Sequence, residues 1–193
     1  MTEGPVLSAY RSLAELEAGL DFVRSSPRDL GTVDLIVRRP GLGVREVLDE
    51  AELTTVDGVV GDTWSQRPSR HTGNGSPHPD MQLNVMNSRC VSLLADDDES
   101  RAGAGDQLYV DLDLSPENLP AGTHLAVGTA VIEVTAMPHT GCAKFSKRFG
   151  ADATRFINSP AGKALRLRGI NAKVVRDGVV KRGDPVRKVG TPG

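Results

Sequence analysis

The 193-residue sequence has few cysteines, few aromatic residues and no excess of positive charge. The two cysteines, Cys90 and Cys142, are too few for a disulfide scaffold in a chain of this length, so we expect free thiols. Aromatic residues make up 4% of the chain and the net charge is −2. This composition supplies neither stacking rings nor a positive field, and we expect no nucleic-acid partner.

The sequence also lacks long apolar runs. No stretch approaches the roughly 18 apolar residues that a membrane span needs. The first ten residues show neither the basic nor the apolar region of a secretion signal. We therefore expect a cytoplasmic protein without membrane contact. The length predicts one core, with residues 1–30 as an N-terminal helical extension and residues 31–193 as the main domain.

The first half of the chain carries several periodic segments. The predicted elements are a helix over 12–24, a strand over 32–39, a weaker helix over 44–53, a strand over 82–87 and a short helix over 88–96. Ser12 and Glu15 have the spacing of a capping box, and Ser88 is the predicted cap of the last helix.

From residue 103 onward, glycine-centred turns precede alternating strands. The pattern occurs at 104–112, 121–128, 128–137 and 182–189. Asp177 and Gly178 predict a hairpin turn, residues 115–120 a single helical turn, and residues 151–166 a helix broken at Pro160. Five or six such strands predict a mainly β, α+β fold: a closed or nearly closed β-barrel with short flanking helices and an N-terminal helix.

Cys142 is the first candidate for chemistry. It precedes a segment that is predicted to begin a helix, and Lys144, Lys147, Arg148 and His139 are close in sequence. A positive helix terminus and neighbouring cations lower the pKa of a thiol, and the thiolate is both the nucleophile and the metal ligand. The alternative interpretation is a plain buried cysteine.

Two other residues have simpler interpretations. Cys90 lies in an ordinary apolar segment, where a free cysteine behaves as a small hydrophobic residue, so we expect it in the core. Trp64 is the only tryptophan, and we expect a packing anchor. Without CxxC or HxxxH spacing, a structural zinc site would have only scattered histidines and the two cysteines to draw on.

Residues 61–80 form the longest irregular segment, which is either functional or a solvated loop. Its polar residues include Asp62, Arg67, Arg70 and His71, a set that could bind an anionic ligand.

A second polar cluster lies close to Gly169. Its members are Arg166, Arg168, Asn171 and Lys173. Such a cluster is typical of an exposed turn.

Three segments, taken in order, resemble the MOSC domain, the module named after the C-terminal region of molybdenum-cofactor sulfurases. They are GDTW at 61–64, HTGCAKF at 139–145 and RGINAKVVRDGVVKRGD at 168–184. The resemblance extends over roughly residues 33–189. It implies a β-barrel-like fold and one important cysteine, which falls on Cys142. It further implies molybdenum-cofactor (molybdopterin) or sulfur chemistry.

In that chemistry the Cys142 thiolate would carry a persulfide, ligate molybdenum, or serve a reductase acting on N-hydroxylated compounds. Each role needs a positive pocket for a small anionic ligand or cofactor. The candidate cofactor-binding residues are Arg67, Arg70, His71, Lys144, Arg148 and Asn171. The chain is too short for the pyridoxal-phosphate-dependent domain of larger sulfurases, so we expect a stand-alone module served by a sulfur donor or reductase protein.

Two positions differ from the common family pattern. Trp64 stands where family members commonly have histidine, and Gly141 where they commonly have proline before the cysteine. The Trp64 difference motivates a second hypothesis, a catalytically silent barrel that binds a small anion or a partner protein. A third hypothesis, a metal-free thiol reductase or peroxidase, requires Cys90 to approach Cys142.

Overall fold

The computed structural model describes residues 10–69, 71–141 and 143–190. The strands in these ranges are β1 (Leu30–Arg38), β2 (Glu46–Leu48), β3 (Glu50–Thr54), β4 (Gly58–Val59), β5 (Leu83–Asn87), β6 (Leu108–Asp111), β7 (His124–Val127), β8 (Ala130–Val134), β9 (Ile170–Arg176), β10 (Gly178–Lys181) and β11 (Pro185–Val189). The helices are α1 (Leu13–Ala18), α2 (Leu20–Arg24), α3 (Ser88–Leu94), α4 (Asp98–Ala102), α5 (Ala143–Asn158) and α6 (Pro160–Ala164), with short 3-10 turns at Trp64–Gln66 and Pro79–Met81.

Seven strands close into a barrel in the order β1, β11, β7, β8, β9, β5, β6 and back to β1. The β5–β6 pair is parallel and the other barrel pairs are antiparallel. Strand β2 extends the sheet beside β1, and β10, β3 and β4 form a separate three-stranded sheet. The predicted mainly β barrel with short flanking helices is confirmed.

Strand β1 contributes to two apolar cores. Its register against β6 shifts between Val33 and Leu35, which marks a β-bulge. Val33 and Ile36 belong to the cluster that fills the barrel, whereas Leu35 and Val37 belong to a second cluster shared with α1, α3 and α5. The strand is continuously apolar at Leu35–Val37 because both of its faces are buried there: helices cover the outer face of the barrel.

The helix predicted over residues 44–53 is wrong, since β2 and β3 occupy this region. In β3, Ala51 and Leu53 are buried and alternate with exposed Glu50 and Glu52. Its backbone pairs with β10 on one side and β4 on the other. Pairing with distant strands outweighs the local helix preference of the glutamates and leucines.

The hairpin predicted at Asp177 and Gly178 is also wrong. Strand β9 pairs with β5 and β8, whereas β10 leaves the barrel and pairs with β3. A Cβ atom at Gly178 would overlap the backbone nitrogen of Ala130, so the chain passes closest to β8 where it has no side chain. Asp177, between β9 and β10, stabilises this change of direction by accepting a hydrogen bond of 2.7 Å from the Thr55 backbone N–H.

The N-terminal helical segment is present, with the Ser12–Glu15 capping box, but it is divided into α1 and α2 at Gly19. A Cβ atom at Gly19 would lie 2.5 Å from Leu93 Cδ2, so this position lets α1 and α2 approach α3 closely. Leu16 and Val23 pack in the second apolar core. The domain boundary near residue 30 stays a prediction.

Three smaller predictions need correction. Helix α3 is capped by Asn87, whose Oδ1 accepts a hydrogen bond of 2.9 Å from the Cys90 backbone N–H, while the predicted cap Ser88 bonds to Asp34. Residues 115–120 form a turn instead of a helix. The helix predicted to start at residue 151 begins at Ala143 and kinks at Gly150, although the break before Pro160 is confirmed.

Candidate functional site

A cationic cavity of about 480 Å³ lies between the chain that follows β1, the turn before β6 and the start of α5. The cationic side chains that line it are Arg39, Arg45, Arg67, Lys144, Lys147, Arg148 and Arg168. None of the described residues in its lining is acidic. The cavity therefore has the electrostatics of an anion-binding site.

Arg39, which directly follows β1, is fixed from several directions. Asp62 accepts hydrogen bonds from Arg39 Nε at 2.8 Å and Nη2 at 2.9 Å, and both side chains are buried. Arg39 Nη1 donates to the Gly105 carbonyl at 3.0 Å and to Asn84 Oδ1 at 3.2 Å. Such a network preorganises the guanidinium group at the cavity wall.

A second buried carboxylate, Asp106, holds Arg168 and His139. Its Oδ2 accepts a hydrogen bond of 2.6 Å from Arg168 Nη1, and its Oδ1 lies 2.9 Å from His139 Nε2. Burial alone would raise the pKa of Asp106, but Arg168 and His139 hold it below its ordinary value. Burial and the charge of Arg168 lower the pKa of His139. The neutral imidazole therefore donates its Nε2–H to an ionised carboxylate.

Two buried donors in the cavity lack partners among the described residues. They are the Nε atoms of Arg45 and Arg168. Burial, followed by repulsion from Arg148, Arg39 and Arg67, lowers the pKa of Arg45. A buried donor without an acceptor costs free energy, and so does crowding of like charges. A bound anion would relieve both costs.

Helix α5 supplies the opposite wall. Lys144, Lys147 and Arg148 have i, i+3 and i+4 spacing, which places them on one helical face. Phe145 and Phe149 are buried in the second apolar core, with ring centroids 4.9 Å apart. The sequence KFSKRF thus separates into a packed aromatic face and a cationic face.

A recess of about 290 Å³ adjoins the cavity and shares Arg39, Arg67 and Asn84 with it. Trp64, His71, His78 and Met81 are among the other residues in its lining. Trp64 is half-buried at this wall and is not the core packing anchor that the sequence predicted.

Arg67 is held at the junction of the recess and the cavity. Its Nη2 and Nε donate to Thr63 Oγ1 at 2.7 and 3.0 Å. Thr63 in turn donates through Oγ1 to the Arg39 carbonyl at 2.9 Å. Thr63 therefore links the guanidinium group of Arg67 to the backbone of Arg39.

The predicted site residues separate into three groups. Arg67, His71, Lys144 and Arg148 line the cavity or its recess. Arg70 and Cys142 lie outside the described residues. The third group is the buried Asn171, which lines neither space.

Asn171 supports the chain that leads to Cys142. Its Nδ2 donates to the carbonyls of Met137 and Pro138 at 3.1 and 3.2 Å, and its Oδ1 accepts a hydrogen bond of 2.7 Å from Asn84. The exposed turn predicted around Gly169 is therefore wrong at Arg168 and Asn171, both of which are buried.

Gly141 also fixes this segment. A Cβ atom at this position would lie 2.6 Å from Ile157 Cδ1. The glycine thus allows the chain before Cys142 to approach α5 more closely than another residue could. Helix α5 begins at Ala143, so the helix start predicted after Cys142 and the helix predicted from residue 151 belong to one helix.

Two residues of the cavity lining, Arg39 and Arg45, were not identified from the sequence, and neither was Asp106, which holds Arg168 in place. Arg39 ends an apolar strand directly before Pro40, and this is the one local signal that could have marked it. Asp106 and Arg168 are 62 positions apart, so their pairing has no local signal.

Cys90 is fully buried in the second apolar core, as predicted. Burial raises the pKa of its thiol to about 12, so it is held as a neutral thiol. Within the described residues, no group of three or more histidine, cysteine, aspartate or glutamate side chains could hold a metal ion. The described helices are also too short or too polar to cross a membrane.

Residues 102–187 match the family model of the MOSC domain. The YuaD protein from Bacillus subtilis has a similar structure, with a TM-score of 0.60 and 14% identity over 81% of this chain and 94% of that chain. YiiM from Escherichia coli is similar with a TM-score of 0.52 and 21% identity over 84% of this chain and 71% of that chain. No protein of curated function matches significantly. The resemblance to the MOSC domain is confirmed over residues 102–187, and the two structures share the fold.

Proposed function

We propose that this chain, whose residues 102–187 match the family model of the MOSC domain, binds the molybdenum cofactor and uses Cys142 as its reactive thiolate or molybdenum ligand. The observation that carries the proposal is the cavity lined by seven cationic side chains and, among the described residues, no acidic one. We assign this cavity to the phosphate end of the cofactor.

The residues fit such a phosphate group. Two of the seven cations, Arg39 and Arg168, are already neutralised by buried carboxylates. The other five make no ion pair with the described residues, and Arg45 and Arg168 each keep a buried Nε donor without a partner. A phosphate offers several acceptor oxygens and a double negative charge, which match this surplus of positive charge and of hydrogen-bond donors.

The cofactor, when bound, supplies redox chemistry at molybdenum or the sulfur that is transferred. The chain itself binds and orients. Arg67 and Lys144 would hold phosphate oxygens, while Asp62 and Asp106 keep Arg39 and Arg168 in place. The adjoining recess offers Trp64 as a flat wall for the pterin ring.

The cationic surroundings would also act on Cys142. Lys144, Lys147 and Arg148 follow it closely in sequence and line the cavity. Nearby cations favour a thiolate over a thiol, so we expect the pKa of Cys142 to be lower than that of an ordinary cysteine. His139 and Asn171 would keep the preceding segment in position.

The test is the molybdenum and pterin content of protein purified from a host that makes the cofactor. The variants are Cys142→Ala and the double variant Arg67→Ala/Lys144→Ala, whose two positions are exposed. The matched control is Lys181→Ala/Arg187→Ala, two exposed cations outside the cavity lining.

We expect near-stoichiometric metal and pterin in wild type and control, loss of both in the cavity variant, and loss of metal in Cys142→Ala. Equal retention by the cavity variant and the control would refute the phosphate assignment. Unchanged metal in Cys142→Ala would exclude Cys142 as the ligand and leave persulfide handling.

A second candidate is a catalytically silent barrel that binds a small anion. It is favoured by the Arg39–Asp62 and Arg168–Asp106 pairs, which hold two cations of the anion site in place through described residues alone. The rate of thiol alkylation distinguishes the two candidates. Buried Cys90 stays unreactive, so the measured rate is that of Cys142. Fast alkylation at neutral pH supports the thiolate, whereas slow alkylation supports the silent module.

A further inference from the structure

A second cavity, of about 290 Å³, lies beside the segment that precedes Cys142 and shares only Arg168 with the cationic cavity. Residues 135–140 form one part of its lining, the end of α5 and α6 a second, and residues 166–170 a third. Thr140, two positions before Cys142, belongs to this lining. The functional site described above does not use this space.

The charged groups of this cavity are of one sign. Lys163, Arg166 and Arg168 contribute cations, His139 contributes a neutral imidazole, and none of the described residues in the lining is acidic. Asp106, which does not belong to the lining, neutralises the charge of Arg168. Lys163 and Arg166 form no ion pair within the described residues, so their two charges remain available to a ligand.

Arg166 is held in a restricted position. Its φ of 49° is the one positive value among the described non-glycine residues. Its Nη1 donates to the Leu119 carbonyl at 2.7 Å. A left-handed backbone is unfavourable for a residue with a side chain and persists where the surroundings over-determine it. The guanidinium group is therefore fixed before any ligand arrives.

Arg168, which borders both cavities, supplies a buried donor that an acceptor in either cavity could satisfy. Its side chain is 9% exposed, Nη1 donates to Asp106, and Nη2 donates to the Ala104 carbonyl at 3.0 Å. The buried Nε has no partner among the described residues. An acceptor atom of a ligand is one way to satisfy this donor.

The lining also has an apolar part, formed by Ala136, Met137, Pro138, Ile157 and Ile170. Ile157 and Ile170 are buried, so Ala136, Met137 and Pro138 present its accessible apolar surface. A volume near the lower limit of small-molecule sites suits a compact ligand. A purely inorganic ion would leave Ala136, Met137 and Pro138 in contact with water, whereas an organic body would cover them.

We propose that this second cavity binds a compact organic anion, with its acidic group near Lys163, Arg166 and Arg168 and its apolar body against Met137 and Pro138. The site does not depend on the proposed cofactor function. Because Arg168 lines both cavities, a ligand here borders the anion site on one side and the segment leading to Cys142 on the other.

The test uses the full chain without cofactor and three probes: benzoate, its neutral isostere benzamide, and inorganic phosphate. Binding is followed by the NMR shifts of the Gly162 and Gly169 amides, both in the lining. We expect saturable benzoate binding, with benzamide and phosphate weaker by about tenfold or more, since a charge-assisted hydrogen bond and the apolar contact are each needed.

Lys163→Gln removes an exposed charge and should weaken benzoate binding several-fold, while the exposed control Lys181→Gln should not. Ala136→Phe, at an exposed position of the lining, should block binding by occupying the cavity.

Four results would each overturn the proposal. They are benzamide binding as tightly as benzoate, phosphate binding as tightly as benzoate, no binding of benzoate, and no effect of Lys163→Gln on benzoate binding. Benzoate binding that is lost in Arg67→Ala would also overturn it, because that result would locate the ligand in the cationic cavity.

Discussion

The guanidinium group of Arg168 lies between the carboxylate of Asp106 and the ring of Phe145. Its Nη1 donates to Asp106 over 2.6 Å, and its Cζ lies 5.2 Å from the centroid of the Phe145 ring. Asp106 lies two residues before the start of β6, and Phe145 belongs to α5. Arg168 therefore connects the barrel to α5, the helix that carries the cationic face. The same buried cation thus contributes both to the site and to the stability of the fold.

Removing the carboxylate should destabilise the protein. In Asp106→Asn the charge of Arg168 stays buried without its counter-ion, which costs about 3 to 5 kcal/mol in comparable pairs. Urea unfolding measures the loss. Asp96→Asn is the control, because Asp96 is 80% exposed in its pair with Arg11 and should lose less than about 1 kcal/mol. Similar losses for the two variants would contradict the role given to Asp106.

Stability should fall as the pH falls. The pKa values of His139 and Asp106 are both lowered in the folded protein, so the unfolded chain binds protons more tightly at both positions. The stabilisation from His139 is complete above its unfolded pKa of about 6.5 and is lost progressively below it. Asp106 adds a further loss below about pH 4.

The measurement for this pH dependence is the midpoint of urea unfolding between about pH 8 and pH 4. His139→Gln should remove the decline that starts near pH 6.5. His124→Gln, a substitution in β7, should retain it. A wild-type midpoint that does not change from about pH 7 to pH 5 would show that His139 does not contribute in this way.

Gly178→Ala should destabilise the corner between the barrel and the small sheet. The added methyl group would overlap the Ala130 backbone, which cannot move without disturbing β8. We expect a loss of roughly 2 kcal/mol or more in thermal or urea unfolding. Gly73→Ala is the matched control, since no atom lies within 4 Å of its added Cβ, and the two substitutions should differ clearly.

Trp64 should report on anion binding. It is the only tryptophan and lines the recess that shares Arg67 with the cationic cavity. Pyrophosphate should therefore change its fluorescence in a saturable way, and Arg67→Ala should weaken this binding by about tenfold. Arg187→Ala should behave as wild type. The same change with sodium chloride of equal ionic strength would indicate screening instead of a site.

The sequence predicted the barrel well, because glycine turns and period-two alternation are local signals. Strands β6, β7, β8 and β11 all follow this pattern. Strand β3 was missed although Ala51 and Leu53 alternate with glutamates, since the same residues favour a helix in isolation. Only pairing with β10 and β4 decides between the two interpretations.

The site was harder to predict than the fold. The cations on α5 follow from helical spacing, and Arg67 and His71 were found through their unusual loop. Arg168 and Asn171 are polar residues in a polar segment, which locally predicts exposure. Both are buried because partners distant in sequence, Asp106 and Asn84, satisfy them.

The barrel closes through β1 and β11, with Leu30 opposite Arg187 in the register. These strands come from opposite ends of the described chain, so during synthesis the barrel stays open until β11 has left the ribosome. Until then β7 and the first residues of β1, from Leu30 to Thr32, lack their β11 partner, and the apolar interior is open to water. The nascent chain should therefore depend on chaperones late in translation, and folding should be slow for a protein of this size because its closing contact is among the most distant in sequence.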